Sequence, residues 1–179
     1  DPRLSVQYRF SAKTNLTAAY GLHSKLLPLG SYFYQSGSSF PNKELKMMRS
    51  HHYILAFDQL LGKRWRFHVE AYRQQLFQIP VVDNVNRTYW ILNEMEGYAN
   101  EALVSKGKGT NTGVDVSLEK FFSKGLFMIA SFSVFDSKFI PLDGKSYNTR
   151  FNSRTSASWV GTKEWRLKKN KVLQVGWKM

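Results

Sequence analysis

The chain has 179 residues, with 26 Lys and Arg against 13 Asp and Glu, a net charge of +13, and no cysteine. Disulfides and thiolate metal sites are thereby excluded, and the basic balance favours an anionic partner such as lipid head groups, nucleic acid or an acidic ligand. No apolar run reaches the roughly 18 residues of a membrane-crossing helix, whereas membrane-crossing strands, about ten residues long and half polar, remain open.

Period-2 alternation organises the chain, because successive strand side chains point to opposite faces. LSVQYRF (4–10) aligns Leu4, Val6, Tyr8 and Phe10, and a short turn near 11–15 follows. LTAAYGLHSKL (16–26) aligns Leu16, Ala18, Tyr20 and Leu22 before a long connection at 27–45. MMRSHHYILAFDQLL (47–61) turns at 61–64 into GKRWRFHVEAYRQQL (62–76), where Trp65, Phe67, Val69 and Ala71 oppose Arg66, His68, Glu70 and Tyr72. Pairing is expected to stop at Pro80, since proline has no N–H for the ladder, which leaves a loop over 80–110. NTGVDVSLEKFF (111–122) sets Val114, Val116 and Leu118 against Asp115, Ser117 and Glu119. A turn at 123–125 leads to LFMIASFSVFDSKF (126–139), a connection at 138–150, a strand at about 151–164, a turn at 166–170 and KVLQVGWKM (171–179). No helical period of useful length occurs.

The connections alternate between tight and extended, so one end of the sheet carries turns and the other carries loops. That is the organisation of an outer-membrane barrel; Greek-key sandwiches do not alternate so regularly. The expected fold is all-β, an antiparallel up-and-down meander of about eight strands in one piece, 1–179. Strands of 12 to 15 residues exceed the about 9–11 needed to cross a bilayer, which points to an arc of a larger barrel. Trp65, Phe67, Val69, Val114, Val116 and Leu118 are then the lipid-facing candidates, and Arg66, His68, Glu70, Asp115 and Glu119 the lumen-facing ones. The alternative is a soluble β-sandwich carbohydrate-binding domain whose apolar rows meet in a core. A nucleic-acid partner is not expected, because Lys63, Arg64, Lys124, Lys168, Lys169 and Lys171 sit at turns and do not interleave with aromatics on a strand face.

LTAAYGLHSKLLPL (16–29), MRSHHYILAFDQLL (48–61), VEAYRQQLFQIPV (69–81), GKGTNTGVDVSLEKFFSKGLFMIASFSVFDSKF (107–139) and NTRFNSRTSASWVGTKEW (148–165) together resemble the barrel of TonB-dependent receptors of the Bacteroidetes type. The resemblance implies part of a 22-stranded transmembrane barrel in the cell outer membrane. It implies a receptor that binds a scarce ligand, an iron chelate, vitamin or glycan, outside the cell and imports it into the periplasm. Outer-membrane lipid and the TonB complex, contacted through an N-terminal region, are the implied partners. Nothing in the sequence corresponds to the plug domain, the TonB box or the family's last strands, so the chain reads as a barrel fragment. DPRLSVQ likewise lacks the basic and apolar regions of a signal peptide.

No catalytic constellation is supported: every histidine lies on or beside a strand, with no paired nucleophile. His51 and His52 point to opposite faces and cannot grip one ion without a bulge, so neither metal nor cofactor is expected. The lumen-facing charges are expected to brace the wall as cross-strand ion pairs. GKGTNTG (107–113) lacks the Lys-Ser/Thr step of a phosphate loop and reads as a flexible entry to a strand. Loop 80–110 is the ligand-contact candidate, through Tyr89, Trp90, Asn93 and Tyr98, which offer flat apolar area with hydrogen-bonding edges. Tyr32, Phe33, Tyr34 and Phe40 offer the same in loop 27–45. For both sets, packing that orders the rim is the competing role. Arg49 and His51 share a face with Tyr53, which places them outward, in reach of lipopolysaccharide phosphates.

Overall fold

The computed structural model describes residues 1–94, 99 and 101–179, and all its strands lie in one antiparallel sheet. The strands are β1 (Arg3–Ser11), β2 (Thr14–Lys25), β3 (Met48–Leu61), β4 (Trp65–Val82), β5 (Leu103–Ser123), β6 (Leu126–Ile140), β7 (Tyr147–Asn148), β8 (Thr155–Arg166) and β9 (Val172–Lys178). Their order is β1-β2-β3-β4-β5-β6-β8-β9, each paired with the next along the chain apart from β7, which lies off this path. The two-residue β7 pairs with the upper part of β6 through Phe139↔Tyr147, and β8 takes over lower down from Val134↔Thr155. β7 and β8 thus share one flank of β6, interrupted by residues 149–154. One four-residue helix, α1 (Leu29–Tyr32), lies in the first long connection.

The turns obey backbone sterics. Lys124 and Gly125 both have positive φ, 50° and 70°, the primed two-residue turn whose twist suits a hairpin. Gly62 serves the β3–β4 turn at φ 70° without the penalty a Cβ would bring.

Two expectations change at the long loop. β4 does not stop at Pro80, and β5 starts at Leu103, so the loop is 83–102 and not 80–110. Pro80 sits inside an irregular stretch, with register shifts between Leu76 and Ile79 and between Ile79 and Val81 and Gln78 at φ 56°. A bulge tolerates the missing N–H, and pairing resumes at Val81↔Val104 and Val82↔Leu103. GKGTNTG is likewise strand throughout, within the 21-residue β5.

Away from these shifts, rows of side chains can be followed from β1 to β6. Tyr8, Leu16, Phe57, Val69, Val116 and Phe132 form one row. One residue along, Arg9, Asn15, Asp58, His68, Ser117 and Ser131 form the next, on the opposite face. Among the described residues no second sheet covers the apolar row, so the sandwich alternative is not formed. Tyr8 is 63% exposed and Phe132 48%. The buried core lies elsewhere, at the loop end, where Leu27, Met48, Ile79, Val81, Trp90 and Phe139 cluster.

Candidate functional site

The polar face and the loop rim hold the chain's chemistry. Near the turn end, β3 and β4 bring Asp58, Arg66 and His68 together. Arg66 donates to Asp58 Oδ1 from Nε at 2.7 Å and from a terminal nitrogen at 2.5 Å. His68 Nδ1 lies 3.1 Å from the same oxygen, and its Nε2 is 3.9 Å from Glu70. Asp58 stands directly opposite His68, so the Arg66 contact is the diagonal one; Arg66 itself stands opposite Leu60 and Glu119, yet pairs with Asp58. Glu70 faces Asp115 across β4 and β5. Asp115 Oδ1 is buried and without a hydrogen-bond partner among the described residues. Two opposed carboxylates repel, so this stretch of wall is suited to a cationic or hydrogen-bond-donating neighbour.

Further up the same face a chain of polar side chains crosses three strands to a loop. Asn111 Nδ2 donates to Gln74 Oε1 at 2.9 Å, Ser137 Oγ donates to Asn111 Oδ1 at 2.6 Å, and Thr149 Oγ1 donates to Ser137 Oγ at 2.8 Å. The chain fixes residues 149–154 over the wall. Beneath it a cavity of about 400 Å³ is lined by Tyr72, Gln74, Asn111, Phe135 and Phe151, with Glu70 and Asp115 at its acidic side. Tyr72 lies flat across Gly113: a Cβ there would come 2.6 Å from the Tyr72 hydroxyl. His23 and His52 share this face, with ring centroids 4.3 Å apart. His51, on the other face, meets the Tyr20 hydroxyl at 2.9 Å and stacks on Phe77 at 5.1 Å. Arg49 lies over the same Phe77 ring. Among the described residues no group of His, Asp and Glu could hold a metal ion.

The rim joins three loops. Asn42, fully buried, donates to the Glu101 carbonyl at 2.9 Å and accepts from the Leu103 N–H at 2.7 Å. That bond ties residues 26–47 to the entry of β5. Asn93 accepts from the Arg150 N–H at 2.9 Å, joining the second and third loops. Trp90 is 3% exposed, stacks on Phe139 at 5.1 Å, and lies over Gly107 and Gly109. Tyr89 packs against the cluster, and burial followed by the nearby Glu94 and Glu101 pushes its hydroxyl pKa well up. Tyr32 also packs there, while Phe33 at 70% and Phe40 at 47% remain exposed. Tyr98 lies outside the described residues. In the third loop the Tyr147 hydroxyl donates to Asp143 at 2.5 Å, which holds the Asp143 carboxyl below its ordinary range.

Sequence reasoning missed the glycines of β5. Gly107, Gly109 and Gly113 recur at even spacing, which in a strand puts them on one face; that spacing, with an aromatic-rich loop upstream, was the available signal. A bare backbone there is what lets Trp90 and Tyr72 lie flat on the wall.

No protein-family model and no curated protein matches the chain. Solved structures do, over almost its whole length. The ferripyoverdine receptor of the outer membrane of Pseudomonas aeruginosa matches with a TM-score of 0.67 at 13% identity, over 99% of this chain and 22% of that one. The fold is that of an outer-membrane receptor barrel wall. The ferric-catecholate import receptor Fiu from E. coli K12 gives a TM-score of 0.63 at 13% identity, over 98% of this chain and 24% of its own. The iron transporter FrpB from Neisseria meningitidis gives 0.63 at 16%, over 99% and 26%. The chain spans about a quarter of the length of these receptors, and at such identities the likeness is one of fold. In barrel-wall terms, the meander, its tight turns at one end and its three loops at the other are one arc of that architecture.

Proposed function

We propose that the chain is a wall-and-loop segment of a TonB-dependent receptor in the cell outer membrane, one that captures a small molecule or glycan outside the cell and passes it to the periplasm. The observation that carries this reading is the pair of adjacent rows, one apolar and with no second layer over it among the described residues, the other polar, each continuous over six strands. In water the apolar row would stay uncovered, whereas against acyl chains it is solvated. Trp65, Phe67, Val69, Val114, Val116 and Leu118 then face lipid. Arg66, His68, Glu70, Asp115 and Glu119 face the lumen, where a plug domain contributed by the rest of the receptor would meet them. TonB would act through that N-terminal region. Ligand contact falls to the exposed rim aromatics Phe33 and Phe40, and to Tyr89 and Asn93 where their edges reach the surface; no catalytic step is involved. The solved structures of the same fold are named for ferric-catecholate import, ferripyoverdine and iron transport, which puts an iron chelate first among the candidate ligands.

The experiment is sedimentation of the purified chain with and without mild detergent. Dispersal only in detergent is the expected result; a clean monomer in plain buffer would mean the apolar row is buried and would sink the reading.

A further inference from the structure

The apolar face is not uniform. Ala18, Leu55, Ala71, Val114 and Val134 are neighbours in register across β2 to β6. They form the floor of an open groove of about 1120 Å³. Alanines at two of the five positions leave room there that the phenylalanine-bearing row below does not. Toward the loop end the same groove is edged by Arg73, Lys138 and Arg154. The backbone carbonyl of Arg154 accepts from the Phe135 N–H at 2.8 Å, which holds that residue at the edge. The one acid in the lining is Asp136. It is engaged by Lys138 at 2.8 Å and by Asn152 Nδ2 at 2.9 Å. Among the described residues no carboxylate lies within ion-pair distance of Arg73 or Arg154, although Asp136 is within electrostatic reach of Arg154, so the edge carries three cations against one anion.

An apolar floor beneath a cationic edge is the complement of one kind of molecule: an amphiphile with acyl chains and an anionic head. Long basic side chains at such a boundary keep their heads at the polar layer while their stems follow apolar surface. We infer that this groove holds a phosphate-bearing acyl lipid of the surrounding membrane, its chains over Ala18 to Val134 and its phosphate against Arg73 and Arg154. The inference rests on the reading of the wall as membrane-spanning. A second copy of this chain fits less well, since it would set one cationic edge beside another on molecules of net charge +13. A zwitterionic lipid would bring its own cation to the same edge.

The test is native mass spectrometry of the full chain in neutral detergent, titrated with dioleoyl phosphatidic acid or dioleoyl phosphatidylcholine. Phosphatidic acid should be retained in preference. The pair of substitutions Arg73→Gln and Arg154→Gln should weaken that retention roughly 25-fold, from the usual contribution of two basic residues near a charged lipid surface. Arg73→Lys with Arg154→Lys should keep most of it, and Lys168→Gln with Lys169→Gln, at the far turn, should leave it intact. Strand content by circular dichroism checks each variant, and the lysine pair decides the matter if the glutamine pair fails to fold. Equal retention of the two lipids by a detergent-dependent chain would overturn the lipid site alone. So would undiminished phosphatidic acid binding by the glutamine pair, or loss of it in a folded lysine pair. A detergent-independent monomer that retains neither lipid would overturn the membrane reading with it.

Discussion

Phe132 and Ser133 are consecutive on β6 and face opposite ways, so on the proposed membrane reading arginine at each of them separates lipid from water at constant depth. Phe132 stands in the apolar row beside Val116 and is 48% exposed, while Ser133 opposes Asp115 in the polar row. Phe132 lies four residues beyond Met128, whose row holds Trp65 at the turn end. At about 3.3 Å per residue that is about 13 Å along the strand, well inside an apolar band about 25 Å tall. Phe132→Arg should then cost about 2–4 kcal/mol, the penalty for arginine near a bilayer midplane. That range lowers the folded-to-unfolded ratio by roughly 30- to 1000-fold. Ser133→Arg should cost about nothing, or gain up to roughly 1 kcal/mol from its new cross-strand partner Asp115. Urea titration in lipid vesicles, followed by the emission of the five tryptophans, reads both. Were the apolar row in contact with water, a half-exposed position would tolerate arginine within about 0.5 kcal/mol. Equal midpoints for the two variants, or a larger loss at Ser133, would refute the assignment of faces.

Asn42→Ala should orphan the Leu103 N–H and the Glu101 carbonyl, costing about 1–3 kcal/mol. Hydrogen exchange should speed up at Leu103 while the strands near Val69 keep their protection. Gly107→Val should be worse tolerated than Gly113→Val, because a Cβ at Gly107 meets the Ile79 carbonyl at 2.8 Å, whereas at Gly113 it first meets the movable Tyr72 hydroxyl at 2.6 Å. Both fall in the overpacking class of about 1–3 kcal/mol, and thermal melts would rank them; the reverse order would count against the rigid seat under Trp90. Asp143 has a folded pKa below its ordinary 3.8, chiefly through the Tyr147 hydroxyl. Its contribution to the third loop is therefore complete above about pH 3.8 and disappears as the pH falls through the lowered value. Tyr147→Phe should move the carboxyl titration, followed by NMR, back up toward 3.8; an unmoved titration would mean the hydroxyl is not its cause.

The strand meander was legible because period-2 alternation survives where two faces meet different surroundings. Val114, Val116 and Leu118 against Asp115, Ser117 and Glu119 needed no tertiary knowledge. The strand ends were not legible, for two physical reasons. A proline inside a bulge looks, in sequence, like a proline that ends a strand, so the sequence places the end of β4 at Pro80 although the strand continues to Val82. Glycines that seat an aromatic look like glycines of a loop, so the sequence around Gly107 and Gly109 suggests a flexible entry where the structure has strand. The charged wall residues were found by face, but their partners were not: Arg66 turns diagonally to Asp58 instead of across to Glu119. Side-chain reach decides between neighbours that register alone treats alike.

The bulge in β4 also reverses the sense of the wall. Below it, even-numbered side chains such as His68, Gln74 and Leu76 share the polar face; above it, Val81 stands with Trp90 over Gly107, on that same side. The slip of one residue hands the inner surface to apolar side chains, and Ile79 and Val81 become almost fully buried there, at 1% and 0%. Grease outside gives way to grease inside, which is the pattern of an ordinary protein in water. The eleven steps from Trp65 to Leu76, at about 3.3 Å each and tilted about 40°, climb about 28 Å, close to the thickness of a bilayer's hydrocarbon. On the proposed membrane reading, the irregularity around Gln78 would mark the waterline, with the rim of Asn42, Trp90 and Phe139 above it.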